Sequence, residues 1–190
     1  MRKLSMLLII SFTLFGLSCK ESNKKMEGDV VVEKSSESAE KSKEKYILNK
    51  NAVSFESLLI PKIFDAYQLL SEDLVNTDFE SAKKHTPDLI KALEDAEVYV
   101  TVENIANELA QTQNIESFRA VFYELSMALE PIFKEEIRTG EIYVQYCPMA
   151  FDNSGAYWFS TDQEIMNPYF GDVMLHCGEV KETIKSEKSE

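Results

Sequence analysis

Apolar side chains recur at helical spacing through the middle of this chain, and this pattern constrains its fold more than any other feature. The four successive stripes are Ile63, Tyr67, Leu70 and Leu74; Ile90 and Leu93; Ile105 and Leu109; and Phe118, Phe122, Leu125, Leu129 and Ile132. Residues three or four positions apart share one face of an α-helix, so each stripe predicts an amphipathic helix. Short connections, with turn or cap residues at 76–78 and at Asn114, separate them. The pattern predicts a mainly α fold, an antiparallel up-and-down bundle of about four helices.

Two prolines fall inside the helical segments. Thr86-Pro87 is typical of an N-cap followed by proline in the first turn, which predicts a restarted or kinked helix running to Glu97. Pro131 predicts a bend or interruption in the long helix that Asn114 begins, and that helix is expected to end near Gly140.

The hydrophobic period changes after Glu141. Ile142, Val144 and Tyr146 alternate with other residues, and the turn-rich segment 152–155 leads into a second run at 156–159. This pattern predicts a small C-terminal β-hairpin. Proline and glycine punctuate the residues that follow, so they predict loop and short strand, and together these elements are expected to form a cap on the bundle.

The N-terminus predicts export. Arg2 and Lys3 precede an apolar run over residues 4–17 that is too short to span a bilayer, and Cys19 follows it directly. The segment resembles a bacterial lipoprotein signal, although Leu17 stands one position nearer the cysteine than is usual. The expectation is a signal peptide over 1–18 and a lipid on Cys19, with plain secretion and a retained helix as alternatives. The lipid would hold the chain in the outer membrane, facing the periplasm or the cell surface of a Gram-negative bacterium.

Composition divides the rest of the chain. Residues 20–45 are mostly Lys, Glu and Ser and cannot bury much apolar surface, so a flexible charged linker is predicted over 19–50. One domain is predicted over 51–184 and a disordered tail over 185–190.

The formal net charge is −13, which makes nucleic acid an unsuitable partner. No nucleophile with a neighbouring base and no glycine-rich phosphate loop is present in the sequence, and no enzymatic activity is expected.

If Cys19 carries lipid, two cysteines remain. They lie in a cluster of soft or borderline donors: Cys147, Met149, Met166, Met174, His176 and Cys177. Thiolates and thioethers favour Cu(I) over hard cations. On an extended strand Cys147 and Met149 would share a face, and Met174, His176 and Cys177 could converge from one loop.

A disulfide between Cys147 and Cys177 is the alternative, because exported proteins meet oxidising conditions. In that reading Met149 and Met174 fill the core, and the domain has a structural or interaction role. Its partner would bind the cap surface around Tyr157, Trp158 and Tyr169. A redox enzyme is less well supported, since the two cysteines lack Cys-x-x-Cys spacing.

Four ordered blocks, at residues 143–150, 155–158, 165–171 and 174–180, resemble a domain of unknown function from Gram-negative bacteria. That domain occurs as stand-alone lipoproteins and at the C-terminus of periplasmic adaptors in CusB-type copper and silver efflux systems. The segment Cys147-Pro148-Met149 is also similar to the core of small heavy-metal-binding modules.

The resemblance implies a helical bundle with a small cap that handles soft metals outside the cytoplasm. Carried over by position, the ligands of a Cu(I) or Ag(I) ion would be Cys147, Met149, Met174 and Cys177, with His176 as a weak candidate. The implied function is a metal buffer, or a donor to a heavy-metal efflux component.

Overall fold

The computed structural model describes residues 45–47, 53–96 and 100–186. The predicted signal peptide 1–18, the lipid site Cys19, most of the predicted linker and residues 187–190 of the predicted tail lie outside the described residues. Tyr46, within the predicted linker, exchanges two hydrogen bonds of 2.8 Å with the side-chain amide of Asn76, one through its backbone N–H and one through its carbonyl. In the described part of the chain, no helix has both the length and the apolar character needed to cross a membrane.

Four helices form the body of the domain. They are α1 (Ile60–Val75), α2 (Phe79–Ala96), α3 (Val100–Gln111) and α4 (Ile115–Glu136). Each packs against the next, and α4 also contacts α1. The stripe on α4 is buried along its whole length, as are the stripe residues of α1. The prediction of a mainly helical bundle is therefore confirmed.

The turn between α1 and α2 follows the sequence prediction. Asn76 is the C-cap of α1, Thr77 takes a left-handed conformation with φ 57°, and Asp78 is the N-cap that precedes α2. The Asp78 carboxylate accepts hydrogen bonds from the Ser81 backbone N–H at 3.0 Å and from its hydroxyl at 2.8 Å. Because these bonds favour the charged carboxylate, they hold the pKa of Asp78 below its usual value.

Asp78→Ala should lower the free energy of unfolding by about 1 kcal/mol at neutral pH, because an N-cap is lost. A depressed folded-state pKa stabilises the fold above the unfolded-state pKa, and that contribution disappears as the pH falls through the folded-state value. Urea unfolding should therefore show the deficit of the variant shrinking in acid. Asp78→Asn, which can cap without a charge, is the control and should show a smaller deficit at neutral pH.

Two helix boundaries differ from the prediction. Helix α2 runs without restarting through Pro87, because Thr86 is buried in its interior and donates its hydroxyl to the Ala82 carbonyl at 2.8 Å instead of capping a new helix. Helix α4 likewise continues through Pro131 and ends at Glu136, before Gly140. The residues after it form strand β2, which explains the earlier end.

The strands form two small antiparallel sheets. Strands β1 (Ser54–Phe55) and β2 (Ile137–Thr139) pair with each other. The second sheet has the order β4-β3-β5, from β3 (Ile142–Cys147), β4 (Ala156–Ser160) and β5 (Glu179–Ile184). The predicted hairpin is confirmed as β3 and β4. The prediction of loop and short strand after the hairpin did not locate β5, because the exposed charged residues of this strand give no apolar signal.

Tyr67 of α1 joins the bundle to the three-stranded sheet. Its fully buried ring stacks on Phe122 of α4 at a centroid distance of 4.9 Å. Its hydroxyl lies 2.8 Å from the Ser126 hydroxyl and accepts the Phe159 backbone N–H of β4 at 3.1 Å. Burial raises the pKa of the Tyr67 phenol well above its ordinary value, so it stays neutral. Helices and sheet thus share one core.

Candidate metal centre

The two cysteines of the cap lie against each other. Cys147 is the last residue of β3 and is fully buried, and Cys177 is half-buried just before β5. Their Sγ atoms are 3.3 Å apart, and both are free thiols. A disulfide requires a separation of about 2.0 Å, so the sulfurs are in contact without being bonded. The structure therefore brings together the two strongest donors that the sequence analysis singled out.

The pairing of β5 with β3 places Cys177 beside Cys147. Tyr146 of β3 is opposite Glu179 of β5, so the residue that follows Tyr146 and the loop that precedes Glu179 meet at the same end of the sheet. Gly178 makes the approach possible, since it has φ 151° and a Cβ there would lie 2.9 Å from the Tyr146 carbonyl oxygen. A larger residue at this position would push the Cys177 loop away from the sheet.

The pKa of the Cys177 thiol depends on its contact with Cys147. The hydrogen bond between the two sulfur atoms, together with desolvation, raises the pKa of the Cys177 thiol. Since thiolate is the form that attacks disulfides and ligates metals, Cys177 must release a proton to act in either way. The chemistry of the pair is therefore coupled to pH.

The two candidate methionines have different positions. The prediction that Cys147 and Met149 share a strand face is wrong, because β3 ends at Cys147 and Met149 lies beyond Pro148 with 46% of its surface exposed. Met174 is half-buried, and its carbonyl accepts the Cys177 backbone N–H at 3.1 Å. Met174 and Cys177 thus lie at the two ends of one turn.

His176 is exposed, and its Nδ1 lies 2.9 Å from the Ile165 carbonyl oxygen. Since a carbonyl can only accept, Nδ1 carries the proton, and Nε2 is the ring nitrogen with a free lone pair in the neutral ring. Over residues 45–47, 53–96 and 100–186, no three side chains of His, Cys, Asp or Glu come together in a way that could hold a metal ion.

The chain turns back from Cys147 through an unusual backbone conformation. Phe151, Asp152 and Asn153 have φ values of 50°, 55° and 69°, which form a left-handed turn of three non-glycine residues. Such a conformation costs roughly 1–2 kcal/mol per residue. Packing of the Phe151 ring against Tyr169, at a centroid distance of 5.4 Å, helps to offset this cost. The turn brings the chain back into β4, where Ala156 pairs with Cys147.

Two of the three aromatic residues expected around a partner surface are buried. Trp158 is 1% exposed and Tyr169 5% exposed, and their rings pack edge to face at 5.9 Å. The Tyr169 hydroxyl donates to the Tyr157 carbonyl, and burial raises the pKa of Tyr169 well above its ordinary value. Trp158 and Tyr169 therefore belong to the core, whereas Tyr157 is half-buried, so of these three residues only Tyr157 could contribute side-chain surface to a partner contact.

Two buried amide side chains near the cysteines were missed by the sequence analysis. Gln145 of β3 is fully buried and donates to the carbonyls of Asp162 and Glu164 at 2.8 and 3.1 Å. Asn167 is also fully buried and donates to the Cys177 carbonyl at 2.7 Å. The only sequence signal was the Asn167-Pro168 dipeptide, which indicates a turn and nothing more specific.

A second buried titratable pair lies within the bundle. Asp73 of α1 is 1% exposed, and its Oδ2 is 2.6 Å from Nδ1 of His85 on α2. Desolvation raises the pKa of Asp73, while the hydrogen bond and charge of His85 oppose that effect. The pair links the two helices, and neither residue belongs to the cysteine-bearing cap.

Comparison with protein families gives one match. Residues 63–139 match the family described as Protein of unknown function (DUF3347). The match confirms the resemblance to a domain of unknown function, and it covers most of the helical bundle together with β2. It ends before Cys147, so it does not include the cysteine pair. No curated protein and no solved structure matches the chain.

Proposed function

We propose that this chain is an exported, non-enzymatic lipoprotein that binds one soft metal ion, Cu(I) or Ag(I), through the thiols of Cys147 and Cys177. The observation that supports this proposal is the 3.3 Å separation of two free thiols that lie 30 positions apart in the sequence. Polarizable sulfur donors select Cu(I) over the hard cations of the cell exterior. A short sulfur separation allows both thiolates to reach one ion after a small adjustment.

The remaining ligands would be thioethers. Met174 sits one turn before Cys177, and Met149 lies two residues after Cys147. Met149, at 46% exposure, could approach the ion only after moving from its present position near the surface. His176 could contribute only through Nε2, because Nδ1 is engaged with Ile165. Two thiolates with one or two weaker sulfur donors form a set that holds a soft ion and can still release it.

Location and partner follow from the N-terminus and the donor set. A lipid on Cys19 would attach the chain to the outer membrane, and residues 20–45 would serve as a tether. A partly exposed thiol at Cys177 provides a place where a second protein could take over the ion. The proposed role is therefore a buffer, or a donor to a heavy-metal efflux component.

Competition with a chromogenic Cu(I) chelator tests the proposal. The chain carrying Cys19→Ser, fully reduced and kept free of oxygen, should withdraw one Cu(I) per chain from the chelator. Met149→Leu and Met174→Leu, tested separately, should weaken binding less than loss of a cysteine. Absence of any competition by the reduced chain would contradict the proposal.

The affinity for Cu(I) should rise with pH. Because the pKa of Cys177 is raised, binding must displace its proton. The apparent affinity should increase about tenfold per pH unit for each proton released, over roughly pH 6 to 8. Chelator competition at several pH values, corrected for the chelator's own protonation, measures this slope. A pH-independent affinity would contradict this prediction.

The same sulfur contact also favours the disulfide alternative, in which the cysteine pair staples β5 to β3. Formation of the bond would need a two-electron oxidant and would release two protons. Intact mass of the chain isolated from the outer membrane, before and after reduction, distinguishes the two states. A bond that resists mild reductant would favour a structural domain, whereas free thiols would favour metal binding.

A further inference from the structure

Asn167 uses every polar atom of its side chain and backbone at the centre of the cap. It is fully buried. Its Nδ2 donates to the Cys177 carbonyl at 2.7 Å, and its backbone N–H donates to the Leu175 carbonyl at 2.7 Å. Its Oδ1 accepts the backbone N–H groups of Tyr169 at 2.8 Å and of Phe170 at 3.3 Å. One side chain therefore connects two loops that are otherwise separate in sequence.

The loop that begins at Asn167 is fastened to the helical bundle. Arg119 of α4 donates from Nε to the Pro168 carbonyl at 2.8 Å and from Nη2 to the Leu74 carbonyl at 3.2 Å. Gly171, at φ 54°, packs so closely that a Cβ would lie 2.2 Å from the Thr77 hydroxyl oxygen. Contacts with the bundle thus hold the loop that contains Asn167 in place.

The Cys177 loop is held on both sides of Cys177: the Leu175 carbonyl accepts the Asn167 backbone N–H at 2.7 Å, His176 Nδ1 lies 2.9 Å from the Ile165 carbonyl oxygen, and β5 pairs with β3 directly after the loop. The Cys177 backbone N–H bonds within its own turn, to the Met174 carbonyl. The half-buried Cys177 side chain touches Cys147, and its carbonyl accepts the Asn167 amide. The hydrogen bond from Asn167 Nδ2 therefore connects the backbone of Cys177 directly to the loop that Arg119 binds to the bundle.

We propose that Asn167 is a positioning residue that holds Cys177 in sulfur contact with Cys147. The hydrogen bond from Nδ2 fixes the position of the Cys177 carbonyl, and with it the backbone that carries the thiol. The expected effect of Asn167 on Cu(I) binding rests on the proposed function. The positioning itself concerns the dithiol and can be measured without a metal.

Asn167→Asp is the most selective variant. A carboxylate keeps an acceptor for the amides of Tyr169 and Phe170, but it has no donor for the Cys177 carbonyl and faces that oxygen with like charge. Asn167→Ser is a second variant, since its hydroxyl can still accept the Tyr169 amide but is too short to reach Cys177. Asn114→Ala is the matched control. It removes the N-cap of α4, where the Asn114 side chain accepts the Ser117 backbone N–H, and this hydrogen bond involves neither of the two loops.

The first measurement is the equilibrium of the dithiol with glutathione, with Cys19→Ser in every chain. Oxidised glutathione takes two electrons and two protons from Cys147 and Cys177, yielding two reduced glutathione molecules and the intramolecular disulfide. Both Asn167 variants should shift this equilibrium toward the dithiol by about 10- to 100-fold, because a displaced thiol has a lower effective concentration. The Asn114→Ala chain should match the unsubstituted one.

The second measurement is Cu(I) affinity by chelator competition, where the Asn167 variants should lose about 10- to 100-fold and Asn114→Ala should lose nothing. Thermal unfolding of all chains shows whether the losses of Cu(I) affinity follow losses of thermal stability.

The proposal is overturned if folded Asn167 variants keep the glutathione equilibrium of the unsubstituted chain, or if Asn114→Ala shifts that equilibrium by the same amount. Failure of both Asn167 variants to fold would also overturn it, because Asn167 would then be a general folding residue. If no chain binds Cu(I) while the glutathione shift is present, the metal function fails and the positioning role stands.

Discussion

Replacing both Cys147 and Cys177 with serine is expected to remove Cu(I) binding from the reduced chain. The sulfur atoms are 3.3 Å apart and supply the two strongest soft donors of the cap, whereas a serine hydroxyl is a hard, neutral oxygen that Cu(I) does not favour. The loss should exceed the 10- to 100-fold that substitutions outside the ligand shell typically cause. Chelator competition on chains carrying Cys19→Ser measures it directly.

Two controls separate ligand loss from unfolding. The double variant should retain the far-ultraviolet circular dichroism of the bundle, because no helix contains either cysteine. Met127→Leu, on the exposed part of α4, should bind Cu(I) as the unsubstituted chain does, although it also changes a thioether. Equal binding by the double variant and the unsubstituted chain would rule out the cysteine pair as the site.

Phe122→Ala is expected to lower the free energy of unfolding by about 3–5 kcal/mol, the usual result of truncating a buried aromatic ring. Phe122 is fully buried, stacks on Tyr67 at 4.9 Å and lies 6.3 Å from the ring of Tyr169. Because Tyr67 bonds to β4 and Tyr169 packs behind the cysteine pair, the cavity would weaken the bundle and the cap together. Urea unfolding should therefore show one cooperative transition at a lower midpoint.

Met127→Ala provides the control on the same helix. Met127 is 42% exposed, so its truncation should change stability by no more than about 0.5 kcal/mol. Helical circular dichroism and the fluorescence of Trp158, the single tryptophan, should report the same midpoint for each chain. Two separate transitions in Phe122→Ala, one for each probe, would show that bundle and cap do not share a core.

The helices could be predicted because their signals are local. The stripe from Phe118 to Ile132 and the cap at Asn114 lie within one segment, and the structure reproduces both. Strand β5 could not be predicted in this way, since Val180 is 38% exposed and its neighbours are charged. Its existence depends on backbone hydrogen bonds to β3, more than 30 positions earlier, which leave no apolar pattern.

The candidate site was predictable by residue type and only partly by geometry. Soft donors concentrated near Cys147 and Cys177 are visible in the sequence, and the structure brings those two sulfurs together. Met149 is exposed beyond the end of β3, and local sequence reveals neither that strand end nor the left-handed turn at 151–153, where Phe151 packs on a ring distant in sequence. The contact of Asn167 with the Cys177 carbonyl is likewise a meeting of two loops, which local sequence cannot reveal.

The X-ray absorption spectrum of copper in the Cu(I)-loaded chain tests the central claim most directly. The copper edge should indicate Cu(I), and its nearest neighbours should be sulfur atoms, since Cys147 and Cys177 provide the core of the site. The sulfur shell should disappear when both cysteines are serine. A first shell of nitrogen or oxygen in the unsubstituted chain, or a sulfur shell that survives the double substitution, would contradict the account.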